Sequence, residues 1–267
     1  MNILQEITER TKDRIETQKK VLPPNKVIEM AQLKCRDGFS CQYDFSFEKV
    51  LCSDDIAFIC EIKKASPSKG IIAENFPYLD IAKEYERAGA AAISVLTEPH
   101  YFKGNDLYLK EIAATVSIPL LRKDFTVDSY MIYEAKVLGA DAILLICAIL
   151  NQDTLAEYIN IAHSLGLSAL VEAHTEAEVD MALAAGARII GVNNRNLQNF
   201  EVDITLSERL RKMVPPSIVF VSESGVSRPE DVDKLRQNGV DAVLVGEILM
   251  RSPDKKAALN ELRGIVS

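Results

Sequence analysis

No stretch of this sequence is apolar for long enough to cross a bilayer. The longest nearly unbroken apolar run covers 142–150, far short of the roughly 20 residues a spanning helix needs. The opening segment, MNILQEITERTKDRIETQKK, is charged throughout and lacks the apolar core of a secretory leader. The five cysteines, at 35, 41, 52, 60 and 147, include no CxxC pair and are odd in number. That disfavours a disulfide framework and points to reduced thiols in a cytosol. Histidine is scarce: His100, His163 and His174 stand at no ligand spacing to the cysteines, so no metal site is expected. Basic residues are outnumbered and the net charge is −8, which argues against nucleic acid as a partner. No Pro- or Gly-rich linker divides the chain. The expectation is a soluble, cytoplasmic protein with neither membrane nor nucleic acid as partner, built as one domain over 1–267.

What is present is apolar sequence in short packets. The chain is 48% apolar and 26% charged over 267 residues, ordinary for a globular fold and close to the about 250 residues of an eight-fold βα barrel. Eight runs, at 57–60, 91–96, 118–121, 142–146, 169–171, 189–192, 218–221 and 242–245, have the composition of buried strands. They exit into Glu61 and Lys63, Thr97 and Glu98, Lys123, Cys147, Glu172, Asn193, Glu223 with Ser224, and Gly246. Packing gives a buried strand no reason to end in lysine or glutamate, whereas a barrel mouth does. An open doubly wound sheet also holds eight strands, but it gathers its functional exits at one switch point. Here they are spread over nearly all strands, so a closed (βα)8 barrel of the α/β class is expected.

Glycines punctuate the units. Gly89, Gly139, Gly186 and Gly239 each precede an apolar strand after a small or polar residue, and Gly166 adds a fifth case. This is the pattern of a helix ended by a left-handed glycine. Helical spacing covers 79–88, 106–116, 129–138, 154–165 and 176–185, with Asp128, Asp153, Thr175 and Ser227 as expected N-caps and Pro229 in a first turn. Residues 1–50 stand outside the repeat. They predict an amphipathic helix over 3–21, a Pro23-Pro24 turn, a short helix near 26–34 and a polar connector. This helical extension is expected to cap the barrel bottom or frame its mouth.

The densest chemical signal is 61–70, EIKKASPSKG. Strand alternation sets Glu61 and Lys63 on one face, and the Ser66-Pro67-Ser68-Lys69-Gly70 loop offers donors to an anion. A strand-end salt bridge is the plainer alternative. Lys123 and Glu172 directly follow apolar strand sequence. Burial should lower the pKa of a lysine and raise that of a carboxyl, which suits an acid and a base held across a cavity. Structural ion pairing is the alternative for each. Asn193 either orients a substrate hydroxyl or caps its own turn. Ser222-Glu223-Ser224-Gly225 and Gly246-Glu247 have the form of a phosphate site on the last two strands. The Glu247 side chain must then point away, leaving its N–H. Phe102 and Phe125 stand near strand exits and suit either the rim or an aromatic-ring pocket.

Taken together, 61–70, 94–104 (SVLTEPHYFKG), 118–125 (IPLLRKDF), 139–146 (GADAILLI), 170–178 (LVEAHTEAE), 190–197 (IGVNNRNL), 222–226 (SESGV) and 243–251 (VLVGEILMR) resemble the indole-3-glycerol phosphate synthase family of tryptophan biosynthesis. The resemblance spans about 50–255 in order. It implies a (βα)8 TIM barrel that converts 1-(2-carboxyphenylamino)-1-deoxyribulose 5-phosphate to indole-3-glycerol phosphate, releasing CO2 and water with no cofactor. By this resemblance Lys123 is the general acid, Lys63 engages the substrate carboxylate, Glu172 handles the proton of the dehydration, and Glu61 and Asn193 position these groups. Ser224 with Gly225, Gly246 and Glu247 forms the phosphate cradle, and Ser66 lies in the closing first loop. Phe102, Phe125, Leu144 and Leu197 hold the anthranilate ring, and Arg195 and Glu223 join the substrate-binding set. A monomer or weak dimer is expected, with association to other enzymes of the pathway open. A phosphoribosyl anthranilate isomerase and a catalytically idle barrel are the competing readings.

Overall fold

The computed structural model describes residues 3–37, 45–196 and 199–265. Three helices come first: α1 (Ile3–Val21), α2 (Pro24–Asp37) and α3 (Ser46–Leu51). Eight parallel strands follow, β1 (Ala57–Ile62), β2 (Ala92–Leu96), β3 (Leu120–Lys123), β4 (Ala142–Ile146), β5 (Ser168–Ala173), β6 (Ile189–Asn193), β7 (Val219–Glu223) and β8 (Ala242–Val245). They pair in chain order, and β1 closes on β8 through registers such as Ala57 with Ala242. Crossover helices α4 (Tyr78–Arg87), α5 (Asp106–Ala113), α6 (Ser129–Leu138), α7 (Gln152–Ser164), α8 (Glu176–Ala184), α9 (Thr205–Arg211) and α10 (Pro229–Gln237) link them, and α11 (Glu247–Arg251) and α12 (Lys255–Leu262) follow β8. The expected closed barrel is therefore present, and each apolar packet is one of its strands.

Strand alternation divides the core in two. Ile93, Val95, Ile143, Leu145, Ala169 and Val171 face outward and pack under the helices. Their neighbours Ala92, Ala142, Leu144, Leu170, Ile189 and Val221 fill the barrel interior. Inward parity, continued to the carboxyl ends, runs through Glu61, Lys123, Glu172, Asn193 and Glu223. A barrel whose lower layers are apolar thus becomes charged in its top layer.

The five punctuating glycines all adopt positive φ, from 69° at Gly166 to 94° at Gly139. The repeat has a second purpose in the aspartate two residues after Gly139 and Gly239. Asp141 accepts the Leu120 N–H at 2.9 Å and Asp241 accepts that of Phe220 at 2.7 Å. Each therefore satisfies a donor at the start of a neighbouring strand.

Several boundaries differ from expectation. The α2 helix begins at Pro24, which suits a first helical turn because it needs no N–H there. The polar connector holds α3, too short to show periodicity; 38–44 lie outside the described residues. Helix α7 is capped by Asn151, whose Oδ1 accepts the Thr154 N–H at 2.9 Å, and Asp153 sits inside its first turn. Arg228, not Ser227, is the cap residue of α10, and Asp231 Oδ2 accepts both backbone N–H groups of 227 and 228. His163 is half-buried, stacked edge-on against Phe45. Burial, then the nearby Arg188, pushes its pKa down to about 4.

The extension serves both ends of the barrel. Phe47 and Leu51 of α3 are fully buried in the interior cluster and close the bottom, tied there by Glu48 to Arg188 at 2.7 Å. Meanwhile α1 lies beside the carboxyl ends. Its Arg14 Nη2 donates to both oxygens of Asp124 at 2.9 Å, and Lys19 pairs with Asp128 at 2.7 Å.

A methyl group added at Gly139 would meet the Ala113 Cβ at 2.8 Å, whereas Gly186 has open space around it. Both sit at positive φ (94° and 84°). Gly186→Ala should cost about 1 kcal/mol from backbone strain alone, and Gly139→Ala about 2–3 kcal/mol from strain plus overpacking. Urea denaturation of the two variants measures the difference. Equal losses would mean that α5 yields freely to the added methyl.

Candidate active site

A cavity of about 470 Å³ opens at the carboxyl ends of the strands. Fifteen of the sixteen residues singled out from the sequence line it: Glu61, Lys63, Ser66, Phe102, Lys123, Phe125, Leu144, Glu172, Asn193, Arg195, Glu223, Ser224, Gly225, Gly246 and Glu247. Leu197 lies outside the described residues. The sequence pattern missed the contributions of Ile3, Leu4 and Ile7, which bring α1 to the wall, and of Arg251 from α11. An apolar stripe on α1 was visible in the sequence, but its destination was not.

At the centre, Lys123 Nζ lies 2.9 Å from Glu223 Oε2 and 3.2 Å from Glu172 Oε2. Asn193 Nδ2 donates to the same Glu172 oxygen at 3.4 Å, and Asn193 Oδ1 accepts the Arg195 N–H at 3.0 Å. One end of the amide thus caps its own turn while the other faces the charged centre. Beside them Lys63 Nζ donates to Glu61 Oε1. Gly246 is required next to this pair, because a Cβ there would stand 2.6 Å from Glu61 Oε1. Gly191 similarly makes room for Glu223 Oε1.

The charge states reverse part of the sequence expectation. Burial does oppose the Lys123 ammonium, but Glu223, Glu172 and Glu61 outweigh it and hold its pKa above the ordinary lysine value. Burial likewise opposes the Glu172 carboxylate, yet Lys123 and His174 bring its pKa below the ordinary value. Desolvation alone misjudged both because their partners arrive from other strands and loops. The raised carboxyl is Glu223. Burial first, with the nearby Glu172 and Glu61 charges adding to it, exceeds the pull of Lys123 and lifts its pKa to about 7. The centre thus contains a charged ammonium, an ionised carboxylate and a carboxyl that titrates near neutrality.

Around this centre the walls differ in character. Phe102 and Phe125, with ring centroids 6.2 Å apart, make one apolar side together with Leu144. Another side is formed by Ser224, Gly225, Gly246 and Glu247. Ser224 carries φ 64°, a strained conformation for a residue with a Cβ and of the kind that clusters at ligand sites, and Gly225 follows at φ 91° without such strain. The buried Asn194 donates from Nδ2 to the Ser224 carbonyl at 3.0 Å and to Ser222 Oγ at 2.9 Å, which holds the turn in place. The Glu247 carboxylate runs along α11 to Arg251, 3.1 Å away, with Lys69 of the first loop 3.9 Å from the same oxygen. The Ser66 loop folds as a small hairpin in which Ala65 pairs with Ile71.

Comparison with known proteins points in the same direction. The family model for indole-3-glycerol phosphate synthase matches residues 4–262. An indole-3-glycerol phosphate synthase from Ruminiclostridium cellulolyticum is 58% identical over 262 residues, covering 98% of this chain and 99% of that protein. One from Endomicrobium trichonymphae is 52% identical over 261 residues, with 98% and 99% covered. Among solved structures, 3-hexulose-6-phosphate synthase superposes with a TM-score of 0.62 at 14% identity, covering 79% of this chain and all of the other. A mutant tryptophan synthase alpha-subunit from Pyrococcus furiosus gives 0.59 at 17% identity, covering 79% and 99%. At such identities these two share the barrel alone.

Folded protein retains a proton on Glu223 between its ordinary pKa of 4.5 and about 7, whereas the unfolded chain has released it. Native protein binds more protons in that window, so this group's contribution to stability falls as pH rises through it. Glu223→Gln should flatten that fall, read from urea unfolding at several pH values. A variant with the same slope as wild type would place the Glu223 pKa near its ordinary value.

Proposed function

Because the chain belongs to the indole-3-glycerol phosphate synthase family, we propose that its charged strand ends divide among themselves the acid–base steps of that family's ring closure. The enzyme cyclises and decarboxylates 1-(2-carboxyphenylamino)-1-deoxyribulose 5-phosphate, yielding indole-3-glycerol phosphate, CO2 and water. What carries the assignment of roles is one arrangement: an ammonium, Lys123, held between two acidic side chains, Glu172 and Glu223, with its tip on the cavity.

Lys123 is the general acid. Ring closure turns the ribulose carbonyl oxygen into a developing alkoxide as the aromatic carbon bearing the carboxylate attacks. A donor that stays charged, fixed by two partners in a buried site, can deliver a proton there without reorganising. Loss of CO2 then returns the bonding pair to the aromatic ring. Lys63, paired with Glu61, engages the substrate carboxylate until that departure. Glu172 handles the proton as the hydroxyl leaves as water, with Asn193 orienting it. Glu223 modulates Lys123, because a carboxyl that changes charge near neutrality alters how firmly the ammonium keeps its proton. Phe102, Phe125 and Leu144 receive the anthranilate ring. Ser224 and the backbone N–H groups of Gly225, Gly246 and Glu247 receive the phosphate, with Arg195 and Ser66 near the mouth.

We infer further that the protein acts in the cytoplasm as a monomer. The exposed large apolar residues Val21, Ile71, Leu107 and Val202 belong to four different segments, α1, the loop after β1, α5 and the loop after β6, which supports a monomer. Light scattering behind size exclusion tests it.

Turnover of the carboxyphenylamino-deoxyribulose phosphate, followed by indole fluorescence, tests the whole scheme. Lys123→Ala and Glu172→Gln should each lower kcat by at least ~100-fold, the range for a removed general acid or base, while the fold persists. Ser224→Ala should mainly raise KM. If either charge variant instead unfolds yet keeps its activity per folded molecule, that residue is structural. An unchanged KM in Ser224→Ala would transfer phosphate binding to the backbone.

A further inference from the structure

The Glu172 carboxylate has two oxygens, and the donors of the cavity use one of them. Lys123 Nζ and Asn193 Nδ2 both approach Oε2, at 3.2 and 3.4 Å. Oε1 is the oxygen nearer His174, whose Nε2 stands 3.8 Å from it. That distance is within ion-pair reach but too long for a hydrogen bond, and Nε2 is buried with no hydrogen-bond partner among the described residues. The other ring nitrogen, Nδ1, lies 3.6 Å from Glu178 Oε2. Glu178 is itself held: its Oε2 accepts the His174 backbone N–H at 2.6 Å, and its own N–H donates to Thr175 Oγ1 at 3.2 Å, in the cap of α8. The imidazole is thus clamped between a carboxylate of the active site and a carboxylate of the scaffold.

We propose that His174 is a positioning residue for Glu172, an imidazolium that holds the second oxygen of the carboxylate and joins the active site to the first turn of α8. The inference rests on the reading of Glu172 as the residue that handles the dehydration proton. The charged groups acting on the ring are Glu172 two residues before it, Glu178 on α8 and Glu223 on β7, all acidic. Cys147, beyond β4, adjoins Glu178: its Sγ donates to the Glu178 carbonyl at 3.5 Å, and burial pushes its thiol up to about 12, so it stays neutral. Burial opposes charge on His174, but the nearby carboxylates of Glu178, Glu172 and Glu223 outweigh it, and its pKa stands above the ordinary 6.5. Below that raised pKa the imidazolium persists, and Glu172 has two cations, Lys123 on one oxygen and His174 on the other. When the imidazole loses its proton, Lys123 is left alone. The carboxylate then gains proton affinity and loses its restraint on the α8 side.

Two measurements on the intact enzyme test this. The first is a 15N-detected titration of the imidazoles. His174 should titrate above 6.5, and both Glu172→Gln and Glu178→Gln should lower its pKa. The second is the pH profile of His174→Gln, which keeps a donor but carries no charge. Near pH 6 its kcat should be several-fold below wild type with KM unchanged, because Glu172 then lacks the charged partner of its second oxygen. The ratio should shrink toward one as pH rises through the His174 pKa found in the titration, where wild type loses the same charge. Glu178→Gln should reproduce the effect in smaller size, and the double variant should be no worse than His174→Gln alone. A His174 pKa indifferent to Glu172→Gln overturns the proposal, as does a kcat profile of His174→Gln parallel to wild type. Should His174→Gln fail to fold, the titration and the Glu178→Gln profile decide. Full activity in Glu172→Gln would refute the role of Glu172 itself, and the titration would still report whether the two side chains are coupled.

Discussion

In a closed parallel barrel every second residue of each strand faces the interior, and the interior has no outlet except at its ends. Side chains sent inward must pack together or, at the carboxyl ends, share a cavity. This constraint places Glu61, Lys123, Glu172, Asn193 and Glu223 around one space although they come from five strands. It also explains why their charges are so tightly paired. An isolated charge in that setting costs several kcal/mol, and here each ammonium meets at least one carboxylate. Burial, with the Glu172 and Glu61 charges adding to it, leaves Glu223 keeping a proton up to about pH 7. The perturbed acid is a consequence of its carboxylate neighbours as well as of burial.

The helical extension follows from the two openings that the same constraint leaves. At the bottom, where no chemistry occurs, apolar closure suffices, and Phe47 with Leu51 provides it. At the top, closure has to leave room for a ligand, so α1 lies beside the mouth rather than in it. It is anchored by Arg14 to Asp124 and offers Ile3, Leu4 and Ile7 to the wall. Asp124 directly follows Lys123, and its other partners are Thr97 at 2.6 Å and, more distantly, the buried Arg122. The anchor of α1 and the position of Lys123 are therefore mechanically joined. His174 repeats the theme from another strand end, where Glu172 is joined to α8.

Much of this was legible in the residues. Strands covered on both faces need apolar side chains on both, so they read as the compact runs that they proved to be. Gly139 and its counterparts were legible because a helix turning at once into a strand needs a left-handed residue. Other features were not. Six residues of α3 are too few for a period to show, and Asn151 and Asp153 are equally good caps until the backbone chooses between them. The charge states escaped most completely. Lys123 and Glu223 are 100 residues apart in sequence, and nothing local to Lys123 says that two carboxylates will meet it.

By itself the sequence determined where strands form, where helices stop, and which residue types end each strand, since propensity, alternation and turn conformation act over a few neighbouring residues. It also determined the inward parity of each strand end once a closed barrel was assumed. Tertiary structure alone decided which of those ends touch: that Glu172 offers one oxygen to Lys123 and the other to His174, that Glu223 rather than Glu172 holds the raised pKa, and that α1 borders the mouth while α3 closes the base. Coulomb energy and desolvation depend on distances across the barrel, and barrel closure is what sets those distances.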